Sequence, residues 1–474
     1  MRICMILEGC YPYVRGGVSG WADSYIRALP DHTFVLWTIG ASEQSRGVFK
    51  YDLPSNVVSV QETFLDSAIR QRDTRGRMAK YSPSEVEQIQ KLLHTEDPDW
   101  NQLFQCFNKA GGNPVSFLMS ETFLSIVQTL CQEKFQSTAY TDLFYCFRSM
   151  FLPLLYCMGQ TIPDADIYHA TATGFGGILG AMGKWKYNRP FVLTEHGIYT
   201  REREEEILRS RWINPTFKDL WISFFHMLSR CAYDTADVVT SLFERARQTQ
   251  IQLGCPPDKC VVVSNGIHYD RFGYIPRKKP DAFIDIGAIV RIAPIKDIKT
   301  MIYAFAELKH DYPQSRLHIL GDTDDIEYYK ECVALVANLE VKDILLVGNT
   351  DVKAYLEKLD FTILTSISEG QPLAVIESMA AGRPCIVTDV GSCRELVEGG
   401  KDDTLGAAGF CIPPMHRPAL TSAMLKLCIS DGMREAMGMV GRQRIRNLYT
   451  HTRMINSYLN VYGRARQWQE SGLS

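Results

Sequence analysis

Apolar and polar positions alternate in a regular order along the C-terminal half of the chain. Short apolar runs rich in β-branched residues predict strands at residues 283–290, 316–320, 344–347, 361–365 and 384–388. Between them, apolar residues recur every three or four positions, which predicts helices at residues 298–309, 326–339, 352–359 and 372–381. Strands that alternate with helices indicate βαβ units, and hence a parallel sheet with helices on its faces.

The N-terminal half repeats this order with one interruption. Its apolar runs predict strands at residues 2–7, 33–39, 166–170, 191–194, 238–241 and 261–264. A glycine-bearing loop follows the first of these strands and leads into a helix that continues to Leu29. Residues 60–157 are rich in helix formers, glutamine and aromatics and poor in strand signals, so we interpret them as a mostly helical insertion.

These elements predict an α/β fold of two Rossmann-like domains. The first domain covers residues 1–273, with the insertion at about 60–157, and the second covers residues 282–440. The polar, proline-bearing stretch 274–281 lacks periodicity, as expected for a linker. Residues 441–474 are predicted as C-terminal helices that pack back on the first domain. Ligands of such sheets bind outside the carboxyl ends of the strands, so two facing domains predict a ligand cleft between them.

Composition narrows the class of protein. The 474 residues exceed one ordinary core, and 46% hydrophobic with 22% charged residues is a soluble globular balance. A formal net charge of -3 argues against a nucleic-acid partner. The apolar run at residues 3–7 is too short for a signal peptide, and no run reaches the roughly 20 apolar residues of a membrane helix. We therefore predict a cytoplasmic protein; if it works at the inner face of the plasma membrane, a partner must recruit it there.

The cysteines favour structural roles. There are 14, none in a Cys-x-x-Cys pair, and the closest two are Cys255 and Cys260. Zinc needs more ligands nearby, so we expect buried free thiols.

The most informative motif is SEGQPLAVIE at residues 368–377. It follows a predicted buried strand and opens a helix, where free amides favour a phosphate. Gly370 allows a close backbone approach, and the carboxylates of Glu369 and Glu377 can each accept two hydrogen bonds from sugar or ribose hydroxyls. The alternative is a helix cap with a solvated face.

Two further loops carry candidate phosphate ligands. Arg291 and Lys296 lie in the first strand-to-helix loop of the second domain and could stabilise a departing diphosphate, although they could also be surface cations. Gly16, Gly17 and Gly20 follow the first strand, but this loop is not a G-x-G-x-x-G fingerprint, and a tight turn that packs Trp21 explains it equally.

Polar residues also end two strands of the first domain. Residues 194–201 (TEHGIYTR) follow one strand, and His169 ends the preceding one, which would bring His169 and His196 to one edge. A single histidine is more often a structural residue than a functional one, and two histidines at matched strand ends modestly favour a functional role. Asp322, Asp324 and Asp325 form a D-x-D-D cluster, for which we favour helix capping over a divalent metal.

Taken together, these motifs resemble glycosyltransferase family 4, whose fold is termed GT-B. The turn at Asn265 and Gly266 is similar to the family's Asn-Gly turn. Arg291 and Lys296 resemble its diphosphate-binding pair, and the two glutamates its E-x7-E motif, in which the first contacts the donor sugar and the second the ribose. The resemblance implies catalytic positions at Lys296, Arg291, Glu369 and His196, and donor-binding positions at Gly17, Arg291, Lys296, Glu369, Gly370, Gln371, Pro372, Leu373, Ala374 and Glu377.

N-terminal details are similar to the soluble glycosyltransferases of Pel-type exopolysaccharide synthesis. The resemblance rests on the spacing from Glu8 to Trp21 and on residues 194–202. It implies a UDP-sugar donor, usually UDP-glucose, a polysaccharide acceptor and a membrane-bound synthesis complex as partner. Gln371-Pro372 departs from the aromatic residue that many family members have there, and Pro372 donates no amide hydrogen, which leaves the exact donor sugar open.

The expected reaction is retaining transfer of a hexosyl unit, with no metal and no further cofactor. No side chain is an obvious covalent nucleophile, so front-face attack is expected, in which the leaving phosphate takes the acceptor proton. Two alternatives stay open: a non-catalytic nucleotide-binding regulatory subunit of a polysaccharide synthase, and another enzyme of the same fold, such as a sugar-nucleotide epimerase or a glycogen-synthase-like transferase.

Overall fold

The computed structural model describes residues 1–70, 80–108, 114–401 and 403–470. The predicted insertion at 60–157 and the C-terminal stretch 441–474 therefore lie partly outside the described residues. The chain forms two compact units. The first comprises Met1–Ser241, Arg247–Val261 and Leu459–Ser474, and the second comprises Leu242–Ala246 and Val262–Tyr458.

A parallel sheet forms the centre of the first unit. Its described strands are β1 (Arg2–Glu8), β2 (Thr33–Gly40), β3 (Val57–Phe64), β4 (Ile167–Ala170), β5 (Phe191–Glu195), β6 (Val238–Ser241) and β7 (Cys260–Val262), arranged in the spatial order β3-β2-β1-β4-β5-β6-β7. The inner strands are buried along nearly their whole length, because helices cover both faces of the sheet. Strand β1 pairs with β2 on one side and β4 on the other, with Met5 opposite Leu36 and His169.

Helices cover this sheet and form the insertion. The described helices are α1 (Gly17–Arg27), α2 (Ser67–Arg70), α3 (Pro83–Leu93), α4 (Trp100–Phe107), α5 (Pro114–Leu118), α6 (Glu121–Glu133), α7 (Tyr140–Met158), α8 (Phe175–Tyr187), α9 (Tyr199–Arg209), α10 (Lys218–Thr235) and α11 (Glu244–Gln252). Ser82 begins α3 with a capping box: its hydroxyl accepts from the Glu85 amide, and the Glu85 carboxylate accepts from the Ser82 amide.

The insertion belongs to the core of the first unit. Phe104, Phe123 and Phe147 from its helices are buried in the same hydrophobic cluster as Trp37 and Cys4 of the sheet. The helical part begins later than the predicted residue 60, because β3 continues the sheet to Phe64. This strand lies at the sheet edge and is half-exposed, so its polar residues concealed the strand pattern.

The second unit repeats the architecture. Its described strands are β8 (Ile284–Ile289), β9 (Ser315–Leu320), β10 (Ile344–Gly348), β11 (Phe361–Leu364), β12 (Cys385–Thr388) and β13 (Gly409–Ile412), in the spatial order β10-β9-β8-β11-β12-β13 with parallel pairing. The described helices that follow α11 are α12 (Tyr269–Phe272), α13 (Ile298–Asp311), α14 (Ile326–Asn338), α15 (Val352–Leu356), α16 (Leu373–Ala380), α17 (Cys393–Glu398), α18 (Arg417–Ile429), α19 (Asp431–Leu448) and α20 (His451–Glu470). Two parallel sheets covered by helices confirm the predicted α/β fold class.

Two peripheral stretches differ in detail from a simple two-domain chain. Residues 274–281, predicted as a linker, lie in the second unit, where Ile275 is buried in the core and Lys278 pairs with Asp285 at 2.5 Å. From Leu459 onward, α20 belongs to the first unit, and the Tyr462 hydroxyl lies 2.7 Å from both Nδ1 of His169 and the Tyr25 hydroxyl. None of the helices within the described ranges combines the length and the apolar character needed to cross a bilayer.

Candidate active site

The candidate donor site lies where the strand order of the second sheet reverses. From β8 the chain proceeds through β9 to β10 on one side and then returns to place β11 on the other side of β8. Loops at such a switch point diverge and leave room for a ligand. The two loops here are tied together, since the Thr365 hydroxyl donates to the Lys296 carbonyl at 2.8 Å and the Ile367 amide donates to the Ile295 carbonyl at 2.8 Å.

An ion pair joins these loops at their polar ends. Nζ of Lys296 lies 2.5 Å from Oε1 of Glu369, and the two side chains are 17% and 12% exposed. The Ser366 hydroxyl donates to the same carboxylate oxygen at 2.5 Å. Little solvent reaches the pair, which strengthens its electrostatic interactions. The structure therefore brings two of the predicted catalytic side chains into direct contact.

The loop that follows Glu369 is fixed by hydrogen bonds from other segments. Oε1 of the buried Gln371 accepts from the Asn265 amide at 2.6 Å, and the Gly370 carbonyl accepts from the Ser392 amide at 2.9 Å. Pro372 then caps α16 without a side-chain hydrogen bond. The amides of the first turn of a helix have no acceptor within the helix, so those of Leu373 and Ala374 are available to an anion.

A glycine in a neighbouring loop is required for this arrangement. Gly391 follows β12 with a positive φ of 53°, a left-handed conformation that favours glycine. A Cβ atom at this position would lie 2.3 Å from the carbonyl oxygens of both Glu369 and Gly370. Only a glycine allows the loop after β12 to approach the loop of the ion pair so closely.

Glu377 lies one turn further into α16 and is partly buried. Burial raises the pKa of its carboxyl group to about 7, against a smaller opposing effect of the Arg271 guanidinium in α12. At neutral pH this carboxyl group is therefore close to half-protonated, and a bound group that donates hydrogen bonds would favour its ionised form.

Arg291 has a different environment from Lys296. Its Nη1 lies 2.5 Å from Oδ2 of Asp324, and the two side chains are 69% and 42% exposed. An exposed pair of this kind contributes little free energy, so the guanidinium can move to another anion. Asp325 caps α14 by accepting from the Tyr328 amide at 3.0 Å, as predicted for this cluster. Within the ranges that the structure describes, no group of three or more His, Cys, Asp or Glu side chains is arranged to hold a metal ion.

A second pocket lies at the switch point of the first sheet, between β1 and β4. Its volume is about 420 Å³. The loops after β1, β4 and β5 and the start of α9 form it, and its lining residues are Glu8, Gly9, Cys10, Val18, Thr171, Ala172, His196, Gly197, Tyr199, Glu202 and Arg203.

Glu8 is the most constrained side chain of this pocket. Its carboxylate accepts from the Gly176 amide at 2.8 Å, at the start of α8, and from the Tyr199 hydroxyl at 3.0 Å. Burial raises its pKa, although both hydrogen bonds and the charge of Arg203 act in the opposite direction. Burial also raises the pKa of Glu202. The pocket thus presents two carboxyl groups, a guanidinium and a phenol to a polar ligand.

The two histidines at the strand ends have separate roles. His169 is fully buried, with its ring nitrogens 2.7 Å from the Tyr462 hydroxyl and 2.8 Å from the Thr194 hydroxyl, and burial lowers its pKa to about 3. It is a structural residue and does not line the pocket. His196 does line the pocket, packs edge-on against Trp21 at 4.5 Å, and has a pKa lowered by burial to about 4. His196 is therefore neutral at physiological pH and can serve a ligand only as an uncharged hydrogen-bonding group.

The glycine loop of the first unit opens α1. Gly17 is the first residue of this helix, and its next neighbour Val18 lines the pocket. An added Cβ atom at Gly17 would meet nothing within 4 Å, so internal packing does not require glycine there. The structure thus places His196 in the lining of the first-unit pocket and Gly17 next to the lining residue Val18. The second-unit loop holds Lys296, Glu369, Gly370, Gln371, Pro372, Leu373, Ala374 and Glu377.

Several residues of these sites were not predicted. Ser366, Arg271 and Gly391 act through contacts between distant segments, which a single sequence does not show. Tyr199 belongs to the polar stretch 194–201 that the sequence analysis singled out, whereas Arg203 lies beyond it, one turn into α9, and was not predicted.

Comparison with known protein families divides the chain into two parts. The family described as "Domain of unknown function (DUF3492)" matches residues 1–258. The family described as "Glycosyl transferases group 1" matches residues 283–430, the part that carries the Lys296–Glu369 pair.

Individual relatives cover most of the chain at low identity. The MMP alpha-(1->4)-mannosyltransferase of Mycolicibacterium hassiacum is 24% identical over 311 residues, 64% of this chain and 71% of the relative. The UDP-Gal:alpha-D-GlcNAc-diphosphoundecaprenol alpha-1,3-galactosyltransferase of Escherichia coli is 23% identical over 364 residues, 71% of this chain and 88% of the relative. Anabaena HepE, solved in complex with UDP, matches with a TM-score of 0.61 at 15% identity, over 98% of this chain and 100% of that one. This likeness supports the predicted GT-B fold.

Proposed function

Because the chain belongs to the DUF3492 family and its second unit matches the glycosyl transferases of group 1, we propose that it is a retaining glycosyltransferase. In this proposal a hexosyl unit moves from a UDP-sugar, with UDP-glucose as the expected donor, to a growing exopolysaccharide or a related acceptor. The observation that carries the proposal is the Lys296–Glu369 pair at the switch point of the second sheet, beside the first turn of α16.

The donor would bind along this loop with its charge facing the cations. Lys296 and the amides of Leu373 and Ala374 suit the diphosphate, and Arg291 can leave Asp324 to join them. Glu369, freed from part of its interaction with Lys296, would then accept hydrogen bonds from the sugar hydroxyls, and Glu377 would accept them from the ribose diol.

The proposed transfer takes place on one face of the sugar. The bond from the anomeric carbon to the β-phosphate oxygen breaks with its electron pair going to the phosphate, and a bond to the acceptor hydroxyl oxygen forms on the same face. The acceptor proton passes to the departing phosphate oxygen, so that UDP and the extended acceptor are the products. Lys296 stabilises the charge that develops on the phosphate, and preorganised cations of this kind are the largest contributors to such steps.

The reaction is proposed to need no metal ion. In the Asp322–Asp325 cluster, the Asp325 side chain is engaged in capping α14. The neutral His196 would contribute a hydrogen bond rather than a charge.

The cellular role is proposed from the N-terminal motifs. They are similar to PelF, the glycosyltransferase of Pel-type exopolysaccharide synthesis in biofilms, which suggests cytoplasmic synthesis by a chain that a membrane-bound complex recruits. The pocket at Glu8 and Glu202 in the first unit is the proposed acceptor side. Its mixture of carboxyl, phenol and guanidinium groups suits sugar hydroxyls.

Calorimetric titration of the purified chain tests the donor site. UDP, ADP and GDP are compared in the presence of EDTA, followed by UDP-glucose and the UDP-N-acetylhexosamines. We expect selective UDP binding that weakens in Glu377→Ala and Arg291→Ala and persists in Lys299→Ala, since Lys299 pairs with Glu331 on the exposed side of α13. A chain that binds none of these nucleotides would remove the proposal. Selective binding without turnover of any UDP-sugar would instead favour a regulatory subunit.

A further inference from the structure

A cavity of about 360 Å³ lies on the insertion side of the first unit. The face of α7 contributes four of its residues, and the remainder come from the segment between α9 and α10 and from the start of α10. The lining residues are Asp142, Tyr145, Cys146, Ser149, Trp212, Ile213, Asn214, Phe217 and Trp221. It shares no lining residue with the pocket at Glu8, and its volume falls within the range of about 300–1,000 Å³ that is usual for ligand sites.

Aromatic rings are exposed at the mouth of this cavity. Trp212 is 73% exposed and Tyr145 is 61% exposed, on two different elements. Large aromatic side chains that internal packing leaves uncovered beside a cavity commonly mark a binding surface. Below them, Ile213 and Phe217 are buried, which gives the cavity an apolar floor.

The inner ring of this cavity is held in place by its neighbours. Trp221 stacks on Phe225 at 6.0 Å and meets Phe224 edge-on at 6.1 Å. It also contacts Trp212 edge-on at 5.9 Å. A rigid aromatic wall of this kind loses little entropy when a ligand binds to it.

Polar groups complete the cavity. Asp142 is exposed, and no ion pair or hydrogen bond engages its carboxylate among the residues that the structure describes. Oδ1 of Asn214 accepts from the Thr216 amide at 3.1 Å, which leaves the amide NH₂ of Asn214 as a free donor toward a ligand. The cavity thus combines an acceptor, a donor and aromatic faces.

We propose that this cavity is a second saccharide-binding site, which holds part of a glycan chain and is separate from the proposed acceptor pocket of the same unit. A pyranose ring has one face of weakly positive C–H groups, which suits the negative face of an aromatic ring, and a rim of hydroxyls that both donate and accept. The rings of Trp212 and Tyr145 suit the C–H face of the sugar, and the polar groups of Asp142 and Asn214 suit its hydroxyls.

Other ligand classes fit less well. Among the described residues that line the cavity there is no Lys or Arg, and an anion would lie beside the Asp142 carboxylate. A purely apolar ligand would remove that carboxylate from water without giving it a partner, which is unfavourable.

The biological role of this site rests on the proposed function. A transferase that extends a polymer adds units more efficiently if a second site retains the growing chain between additions. Binding itself can be measured independently of transfer. Retention of this kind acts through effective concentration, so its loss would affect long acceptors more than short ones.

The test uses the whole chain and three probes, namely maltopentaose, cellopentaose and chitopentaose. Each is titrated against the wild type, Trp212→Ala, Asp142→Asn and the control Tyr274→Ala, which removes an equally exposed aromatic side chain (78% exposed) from the second unit. We expect at least one probe to bind the wild type and the control alike. Trp212→Ala should raise its Kd by about tenfold or more, and Asp142→Asn should raise it by a smaller factor.

UDP titration of the same variants separates the two proposals. Unchanged UDP binding together with weakened glycan binding supports the second site. If UDP binds neither the wild type nor any of the variants, the proposed function fails, while the measured binding of the oligosaccharides still stands. The proposal of a saccharide site is overturned if none of the three oligosaccharides binds the wild type. It is also overturned if an oligosaccharide binds Trp212→Ala as tightly as the wild type. Either result would favour a protein partner for the exposed aromatic surface.

Discussion

Nζ of Lys296 lies 2.5 Å from the Glu369 carboxylate, and each residue comes from a loop beside the switch point of the second sheet. The pair neutralises both charges while no ligand is present. In the proposed function, a diphosphate replaces the carboxylate at Lys296, and Glu369 is then able to accept hydrogen bonds from a sugar. One contact would thus link phosphate binding to recognition of the sugar under this proposal.

Replacement of Lys296 tests the role of that contact in turnover. In Lys296→Ala we expect kcat to fall by a factor on the order of 10²–10³, because the developing phosphate charge loses its nearest cation. Steady-state kinetics with UDP-glucose measures this. The control is Lys299→Ala, which removes a lysine in the first turn of α13 that pairs with Glu331. This variant should retain wild-type kcat. Equal rates in folded Lys296→Ala and wild type would contradict the assigned role.

Gly391→Ala tests the close approach of the two loops. The added methyl group would lie 2.3 Å from the carbonyl oxygens of Glu369 and Gly370, at a backbone φ of 53°. The Glu369 loop must therefore shift, and we expect UDP affinity to fall by about tenfold or more. Gly400→Ala is the matched control, because a Cβ atom there meets nothing within 4 Å. Calorimetric titration with UDP compares the Kd of the two variants. An unaltered UDP affinity in Gly391→Ala would show that the loop after β12 does not shape the donor site.

The sequence indicated the sheet frame but only part of the site. Long apolar runs made β1, β8 and β11 visible, and their order placed Lys296 and Glu369 on neighbouring loops. The contacts of Ser366 and Gly391 depend on how loops far apart in the chain pack, and no local pattern records that. The pairing of Arg291 with Asp324 is likewise a tertiary contact.

Ionisation of Glu377 predicts how nucleotide binding varies with pH. Its pKa is raised to about 7, and a ribose diol should bind the ionised carboxylate more strongly. The Kd of UDP should therefore rise as pH falls below about 7, by up to about tenfold per pH unit. UDP itself gains a proton near about pH 6, so the comparison is made with Glu377→Gln. A wild type and a variant with parallel pH profiles would rule out this role of the carboxylate.

Glu195 predicts a pH dependence of stability. Its buried carboxylate accepts from the Tyr233 hydroxyl at 2.7 Å and from Nε2 of Gln250 at 2.9 Å, yet burial raises its pKa from 4.5 to about 7. The folded state therefore binds this proton more tightly than the unfolded state. Stability should fall as pH rises from about 4.5 to about 7, by about 3 kcal/mol in total from this group.

Urea unfolding followed by tryptophan fluorescence measures this effect in the first unit alone, because all seven tryptophans of the sequence fall within its ranges. In Glu195→Gln, the loss of stability between about pH 5 and about pH 8 should be smaller than in the wild type by about that amount. An identical pH slope in the two proteins would show that Glu195 is ionised in the folded state.

The most direct test of the central claim is NMR observation of UDP-glucose during incubation with the wild-type chain and EDTA, with Lys296→Ala as the comparison. The proposal predicts that the wild type releases UDP together with α-glucose, by slow transfer to water, and that Lys296→Ala releases both far more slowly. Release of β-glucose first would contradict retention of configuration, and a wild type that binds UDP-glucose but leaves it intact would contradict catalysis by this chain alone.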